Sequence, residues 1–150
     1  MSEIEMRPAE AGDVAALIAL FETSWRTHWG PHVSEASRRR FEQERPAKGY
    51  AEALWSQFVV ATEDDVVVGV FHLENDYLHA IHVAVDQLGV GVGRVLMNEA
   101  ELAGARRLEV REFNMRARGF YHKRGWREVR RQQDTEMGTP VTTIAMELPV

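Results

Sequence analysis

The stretch "AVDQLGVGVGRVLMNEAELAG", Ala84 to Gly104, decides the reading of this chain. It closes a run of alternating apolar residues, places glycines at every second position (Gly89, Gly91, Gly93), and then continues at helical spacing. Glycine loses more backbone entropy than any other residue on entering a helix. Three of them at a helix start imply that bare backbone is wanted there. A helix N-terminus offers unpaired N–H groups and the positive end of the macrodipole, so bare backbone at that point makes an anion site. A P-loop would need Lys and Ser or Thr where Arg94 and Val95 stand, and a dinucleotide fingerprint would space its glycines G-x-G-x-x-G after a first strand. A tight turn without a ligand is the remaining alternative.

Upstream, "IEMR" from Ile4 reads as a strand, followed by a helix with Val14, Leu17, Ile18, Phe21 and Trp25 on one face and Asp13 as its cap. A second helix is expected from Ser34 to about Gln57, interrupted near Pro46 and Gly49. Period-two patterning then gives three strands, Phe58 to Ala61, Val66 to Leu73 and Tyr77 to Val85, joined by the turn residues "TEDD" and "END". Downstream of the glycines come a helix to about Gly104, a strand over "RLEVREF" (Arg107 to Phe113), a helix from Met115 to about Lys123, a short strand near Trp126 and a last strand, Val141 to Leu148. "RRQQDTEMGTP", Arg130 to Pro140, is expected as a long irregular loop. The order β α α β β β α β α β β predicts an α/β (α+β) architecture: a mixed, mostly antiparallel sheet of about seven strands flanked by four helices.

Composition narrows the chemistry. A chain of 150 residues fits one domain, residues 1 to 150, with a sizeable core. There is no cysteine, which removes disulfides, thiolate metal sites and a cysteine nucleophile and favours a cytoplasmic setting. Neither a signal pattern nor an eighteen-residue apolar span is present, so no membrane partner is expected. The net charge of −5 argues against a nucleic-acid partner. A basic run from Arg106 to Arg131 reads either as a solvated face or as a site for a phosphorylated ligand.

A second constellation lies in "FNMRARGFYHKRGW", where Asn114, Ala117, Phe120, Tyr121, Gly125 and Trp126 form N-x-x-A-x-x-F-Y-x-x-x-G-W. Together with the glycine turn, it resembles the GNAT superfamily of acetyl-CoA-dependent N-acetyltransferases. The element order resembles that family along essentially the whole chain, while specific motifs cover Leu78 to Trp126. The resemblance implies acetyl-CoA as cofactor, with Val83 and Val85 on the strand that pairs with the pantetheine arm. The turn Gly89, Val90, Gly91, Val92, Gly93 and Arg94 would hold the pyrophosphate with main-chain N–H groups. Asn114 and Phe120 would border the arm, and Lys123 or Arg124 would meet the 3′-phosphate. Tyr121 matches the family's tyrosine beside the thioester sulfur; a phenol near about 10 in pKa can protonate a thiolate leaving group.

Leu88 stands where the family usually has Gln or Arg, Val85 where it often has Pro, and Tyr77 where many members carry a basic carboxylate. A lysine-like ammonium near about 10.4 must still lose a proton before it attacks. His79 is the expected substitute, with Glu74, Asp76 or a water chain as competitors. His28 and His32 stand i, i+4 but are interrupted by Pro31, so no metal is expected. Trp29, His28 and Tyr77 are candidates for the acceptor groove, Trp25 belongs to the core stripe of the first helix, and Glu35, Glu42, Glu44 and Glu52 read either as a solvated face or as a surface that favours a cationic amine.

Two functions follow: acetyl transfer to a small-molecule or peptide amine by direct attack in a ternary complex, or a non-catalytic CoA-binding sensor or interaction module of the same fold. A homodimer through an unpaired edge at "VTTIAMELPV" is allowed.

Overall fold

The computed structural model describes residues 3–150, so Met1 and Ser2 of the expected domain lie outside the described residues. The chain runs β1 (Ile4–Pro8), α1 (Val14–His28), α2 (Glu35–Glu44), α3 (Pro46–Leu54), β2 (Phe58–Glu63), β3 (Val66–Glu74), β4 (Tyr77–Val83), α4 (Val92–Leu102), β5 (Arg107–Arg111), α5 (Met115–Lys123), β6 (Arg127–Glu136) and β7 (Thr139–Glu147). The strands form one mixed sheet in the order β1-β2-β3-β4-β5-β7-β6. Only the β4/β5 pair is parallel. Val60 and Val70 pack with Leu17, Phe21 and Ala51 of α1 and α3, whereas Ala61 and Phe71 pack with Leu96, Met97 and Ala100 of α4.

The second helical region is one body in two pieces. Arg45 adopts φ 47° between α2 and α3, where Pro46 has no N–H to continue the ladder. Its guanidinium donates twice to the buried Glu22 carboxylate of α1, at 3.0 Å each. Gly49, expected to help break the helix, lies inside α3.

The expected loop from Arg130 to Pro140 is mostly strand. β6 and β7 form a hairpin that turns at Met137 and Gly138, both at positive φ. β6 lies at the sheet edge with nearly all its residues exposed, so it needs no apolar alternation and gives no period-two signal. β7 is paired on both sides, by β5 and β6, which corrects the expectation of an unpaired edge at "VTTIAMELPV". The open edge is the charged β6, a sequence suited to discourage edge pairing.

Two features position the site. Leu73 pairs with Leu78 but His72 pairs with Ala80, so His79 is an extra residue in β4, a bulge that bends the strand. Pairing between β4 and β5 covers only Tyr77/Arg107 and Leu78/Leu108, after which the strands part. Secondly, a Cβ on Gly69 of β3 would meet Leu96 at 2.7 Å, Val92 at 3.1 Å and the His82 carbonyl at 3.2 Å. Hydrogen in place of a side chain is what lets the start of α4 lie down against the sheet beside the split.

Candidate active site

The split between β4 and β5 opens on both sides. One cavity, of about 350 Å³, is walled by Ile81, His82 and Val83 of β4, by Gly89, Gly91, Gly93 and Arg94 of the glycine turn, and by Asn114, Arg116, Ala117, Phe120 and Tyr121, with Ser24, His28 and Trp29 over it. The other, of about 310 Å³, is walled by Tyr77, His79, Glu109, Arg111, Asp134, Glu136 and Thr143 among others. Trp29, Ile81, His82, Asn114, Ala117 and Tyr121 border both. The two cavities therefore meet between the parted strands.

On the first side the glycines divide into two kinds. Gly89 and Gly91 take φ 83° and 96°, which L side chains rarely adopt, and Gly91 precedes α4 without a side-chain cap. The N–H groups of Val92, Gly93 and Arg94 stand in the first turn, where no intrahelical acceptor exists. Gly93 has an ordinary helical backbone; a methyl there would project between Val83 at 3.6 Å and Phe120 at 3.9 Å. Bare N–H groups, no acidic residue in the first turn, and Arg94 and Arg116 in the wall fit a diphosphate. Beyond Leu78, β4 has lost its β5 neighbour, which fits an extended polar arm lying along Ala80 to Val83.

Several expected cofactor residues sit elsewhere than the sequence implied. Val85 is not on the strand: Ala84 makes the last bond to β3, its N–H on Val68 O at 2.8 Å, and Val85 then opens a short 3-10 turn closed by the Gln87 N–H on Ala84 O at 2.8 Å. Val90, exposed at the tip of the turn, and Val92, pointing into the core, offer the site only main chain, which is the part the sequence assigned them. Lys123 is exposed on α5 outside the cavity wall, while Arg124 is bound to Glu101 and Asn98. Burial opposes the charge on Glu101, but hydrogen bonds from Arg124 and Trp126 outweigh it and hold the carboxyl below its ordinary value. Much of the basic run is paired in the same way, Arg107 to Asp76, Arg118 to Glu128 and Arg131 to Glu112. Arg116 is the member of the run that reaches the first cavity.

The second motif has a local logic. Asn114 caps α5 by accepting from the Ala117 N–H at 3.3 Å. Gly125, at φ 94°, ends the helix, with the Trp126 N–H returning to Tyr121 O at 3.1 Å, and Trp126 turns into the core with its indole N–H on Glu101. Tyr121 is thereby fixed between the cavities. It is 7% exposed, no group among the described residues pairs with its hydroxyl, and no buried polar side-chain atom lacks a partner, so the hydroxyl opens into the split. Burial raises its pKa above the usual phenol value and keeps it protonated.

On the second side, His79 lies within 3.1 Å of Glu74, stacks on the His72 ring at 4.6 Å and meets the Tyr77 ring at 4.7 Å. The sequence reading missed the carboxylates. Asp134 and Glu136 come from the segment expected to be irregular, and Glu109 from β5, just past its two pairs with β4. Arg111 pairs with Asp134 at 3.2 Å and Glu136 at 2.9 Å. Glu109 has Arg130 at 3.9 Å, and burial and then the charge of Glu109 raise the Tyr77 pKa above the usual phenol value. Three carboxylates against two guanidinium groups, Arg111 in the wall and Arg130 at its rim, leave this side with one net negative charge. Trp29 borders both cavities and His28 only the first, where burial and then Arg116 lower its pKa. Among the described residues no group of three or more His, Asp or Glu is arranged to hold a metal ion.

Residues 30–148 match the family model of the acetyltransferase (GNAT) domain. Among curated proteins, the chain is similar to the peptidyl-lysine N-acetyltransferase YjaB of Salmonella typhimurium, 31% identical over 97 residues, 64% of this chain and 65% of that protein. The match thus spans slightly under two thirds of that relative's length. The solution structure of apo YjaB from Escherichia coli superposes with a TM-score of 0.79 at 23% identity, covering 97% of each chain. The PaiA N-acetyltransferase of Thermoplasma acidophilum, solved with coenzyme A, gives 0.69 at 20% identity, covering 94% of this chain and 98% of that one. At such identities these structures speak for the fold, and the family match with the motifs around Gly91 and Tyr121 places this chain in the acetyltransferase (GNAT) family.

Proposed function

We propose that this protein transfers an acetyl group from acetyl-CoA to a primary amine, by direct attack in a ternary complex, and that the amine is a lysine side chain of a peptide or protein. The observation that carries the reading is the split itself: a backbone-lined anion cradle on one side and an acidic wall on the other meet at one buried tyrosine hydroxyl. Acetyl-CoA supplies the thioester carbonyl that the amine attacks and carries away the sulfur with its bonding electron pair.

The chain's own groups do the rest. The N–H groups at Val92 to Arg94 hold the diphosphate, and the unpaired end of β4 orients the arm. Glu109 and its neighbours draw the ammonium in as a cation. His79 accepts the proton that the nitrogen must lose, with Glu74 behind it to steady the charged imidazole. Tyr121, held neutral by burial, gives its proton to the departing sulfur and regains one from solvent through the split. No cysteine is present to form an acyl-enzyme, which accords with direct transfer. The similarity to peptidyl-lysine acetyltransferases supports lysine as acceptor. No helix among the described residues is long and apolar enough to cross a membrane, and we place the reaction in the cytoplasm.

Calorimetric titration with acetyl-CoA, followed by a free-thiol assay with lysine peptides and small amines, tests the proposal. Micromolar binding with peptide-dependent CoA release is expected. Binding without release on any amine would leave the sensor reading, and no binding would overturn the cofactor assignment.

A further inference from the structure

His82 is not among the residues that the mechanism above uses, yet it borders both cavities at the split. Its ring is held on two sides by Phe21, at 5.2 Å, and Trp29, at 5.7 Å. Nδ1 lies 2.8 Å from the hydroxyl of Ser24, which is 3% exposed on α1. The direction of that hydrogen bond follows from counting donors. A buried hydroxyl must place its single hydrogen, and no backbone carbonyl takes the one on Ser24, in contrast to Thr27, which bonds to Thr23 O. Ser24 therefore donates to Nδ1, and the proton of the neutral ring sits on Nε2.

No group among the described residues pairs with Nε2, and no buried side-chain nitrogen or oxygen is left without a partner, so Nε2 is open to the cavity. Its N–H is aimed from the β4 side of the split, with the Tyr121 hydroxyl reaching the same junction from α5. An oriented, neutral N–H donor in a water-poor site holds growing negative charge on oxygen without reorganising as it does so. We propose that His82 is a further catalytic residue of this acetyl transfer, donating through Nε2–H to the thioester carbonyl oxygen, and that Ser24 is the positioning residue that sets its tautomer.

As the amine nitrogen bonds to the carbonyl carbon, electron density gathers on the oxygen that Nε2–H faces. It returns as the bond to sulfur breaks, the sulfur leaving with the electron pair and taking the Tyr121 proton. His82 keeps its own proton throughout. The inference rests on the transferase reading, and the first measurement separates the two because it needs no ligand. Two-dimensional ¹⁵N–¹H spectroscopy of the histidine rings of the free protein is expected to show His82 as the pure Nε2–H tautomer, and Ser24→Ala is expected to give a tautomer mixture. A pure Nδ1–H form in the wild type would overturn the proposal, whatever the activity.

The second measurement compares His82→Gln, whose amide can present an N–H near the place of Nε2, with His82→Phe, which keeps the ring shape but has no donor. A loss in kcat of about 100-fold in His82→Phe, with partial recovery in His82→Gln and acetyl-CoA affinity within about threefold, is expected for a lost donor. Equal losses in a folded His82→Gln would mean that the ring acts as a base, and unchanged kcat would mean that it only fills the wall. If His82→Phe does not fold, the His82→Gln kinetics and the tautomer spectrum still decide.

Discussion

The two cavities that meet at Tyr121 are made from different materials. The first is mostly main chain and apolar wall, its anion cradle supplied by neighbouring residues at the end of β4, the turn and the start of α4, with α5 and α1 closing it. The second is made of side-chain charge, gathered from β4, β5, β6 and β7. A cradle of backbone depends on where glycines fall, and a few neighbouring letters write it. A charged wall depends on which strands become neighbours, and that is settled only when the sheet closes.

The sharpest way to probe this comparison is at the junction, which belongs to both sides. Tyr121→Phe removes one hydroxyl and keeps the ring, so kcat is expected to fall about 100-fold while acetyl-CoA affinity, measured by calorimetry, stays within about threefold. A kcat within a factor of about two would remove Tyr121 from the proton path. Next, His79→Ala is expected to lower kcat/KM at neutral pH about tenfold. An unchanged kcat/KM would transfer the base role to water or to Glu74.

On the backbone side, Gly91→Ala puts a side chain at φ 96°, at a cost of about 1–2 kcal/mol. Acetyl-CoA affinity is expected to fall about tenfold with KM for the peptide unchanged; a shift confined to the peptide would break the assignment of the two cavities. On the charged side, Glu109→Gln should raise the peptide KM about fivefold and leave acetyl-CoA binding alone, the scale of one partly solvated charge pair. A neutral amine acceptor should be indifferent to it.

A separate expectation concerns pH and stability. Burial, and then His28, push the His82 pKa down from 6.5 to about 4. Below pH 6.5 the unfolded chain takes up a proton that the folded one refuses, so folding free energy is lost as pH falls from 6.5 towards 4, by up to about 3 kcal/mol. Denaturant unfolding of the wild type should show that slope, and His82→Gln should flatten it.

Most of the fold was legible because its strands alternate and its turns carry Asp and Asn at the positions that need positive φ, as at Asp64, Asp65 and Asn75. β6 was not, since a solvated edge strand has no buried face to write into its sequence. Within the site, Gly91, Asn114 and Tyr121 could be found because each acts within a few residues of its own position. Glu109, Asp134 and Glu136 could not, since what makes them a wall is the pairing of β5, β7 and β6. His82 and Ser24, 58 residues apart, have no mutual signal in sequence at all. The Val85 assignment failed for a related reason: a motif position says where a residue aligns, whereas the turn that Gln87 closes on Ala84 says where the strand stops.

The bulge at His79 leaves β1–β4 joined to β5–β7 through two residue pairs only, so across that line the sheet is close to being two sheets. A molecule lying in the gap would act as a missing strand, and its binding would register as mechanical as well as chemical completion. At a hundredfold excess over Kd, ligation would add about 2.7 kcal/mol to unfolding. Slowed amide exchange should then appear along Ala80 to Val83, with the distant β1/β2 pairing changed far less. Occupancy would thus be readable as cohesion between two halves of a protein before any acetyl group has moved.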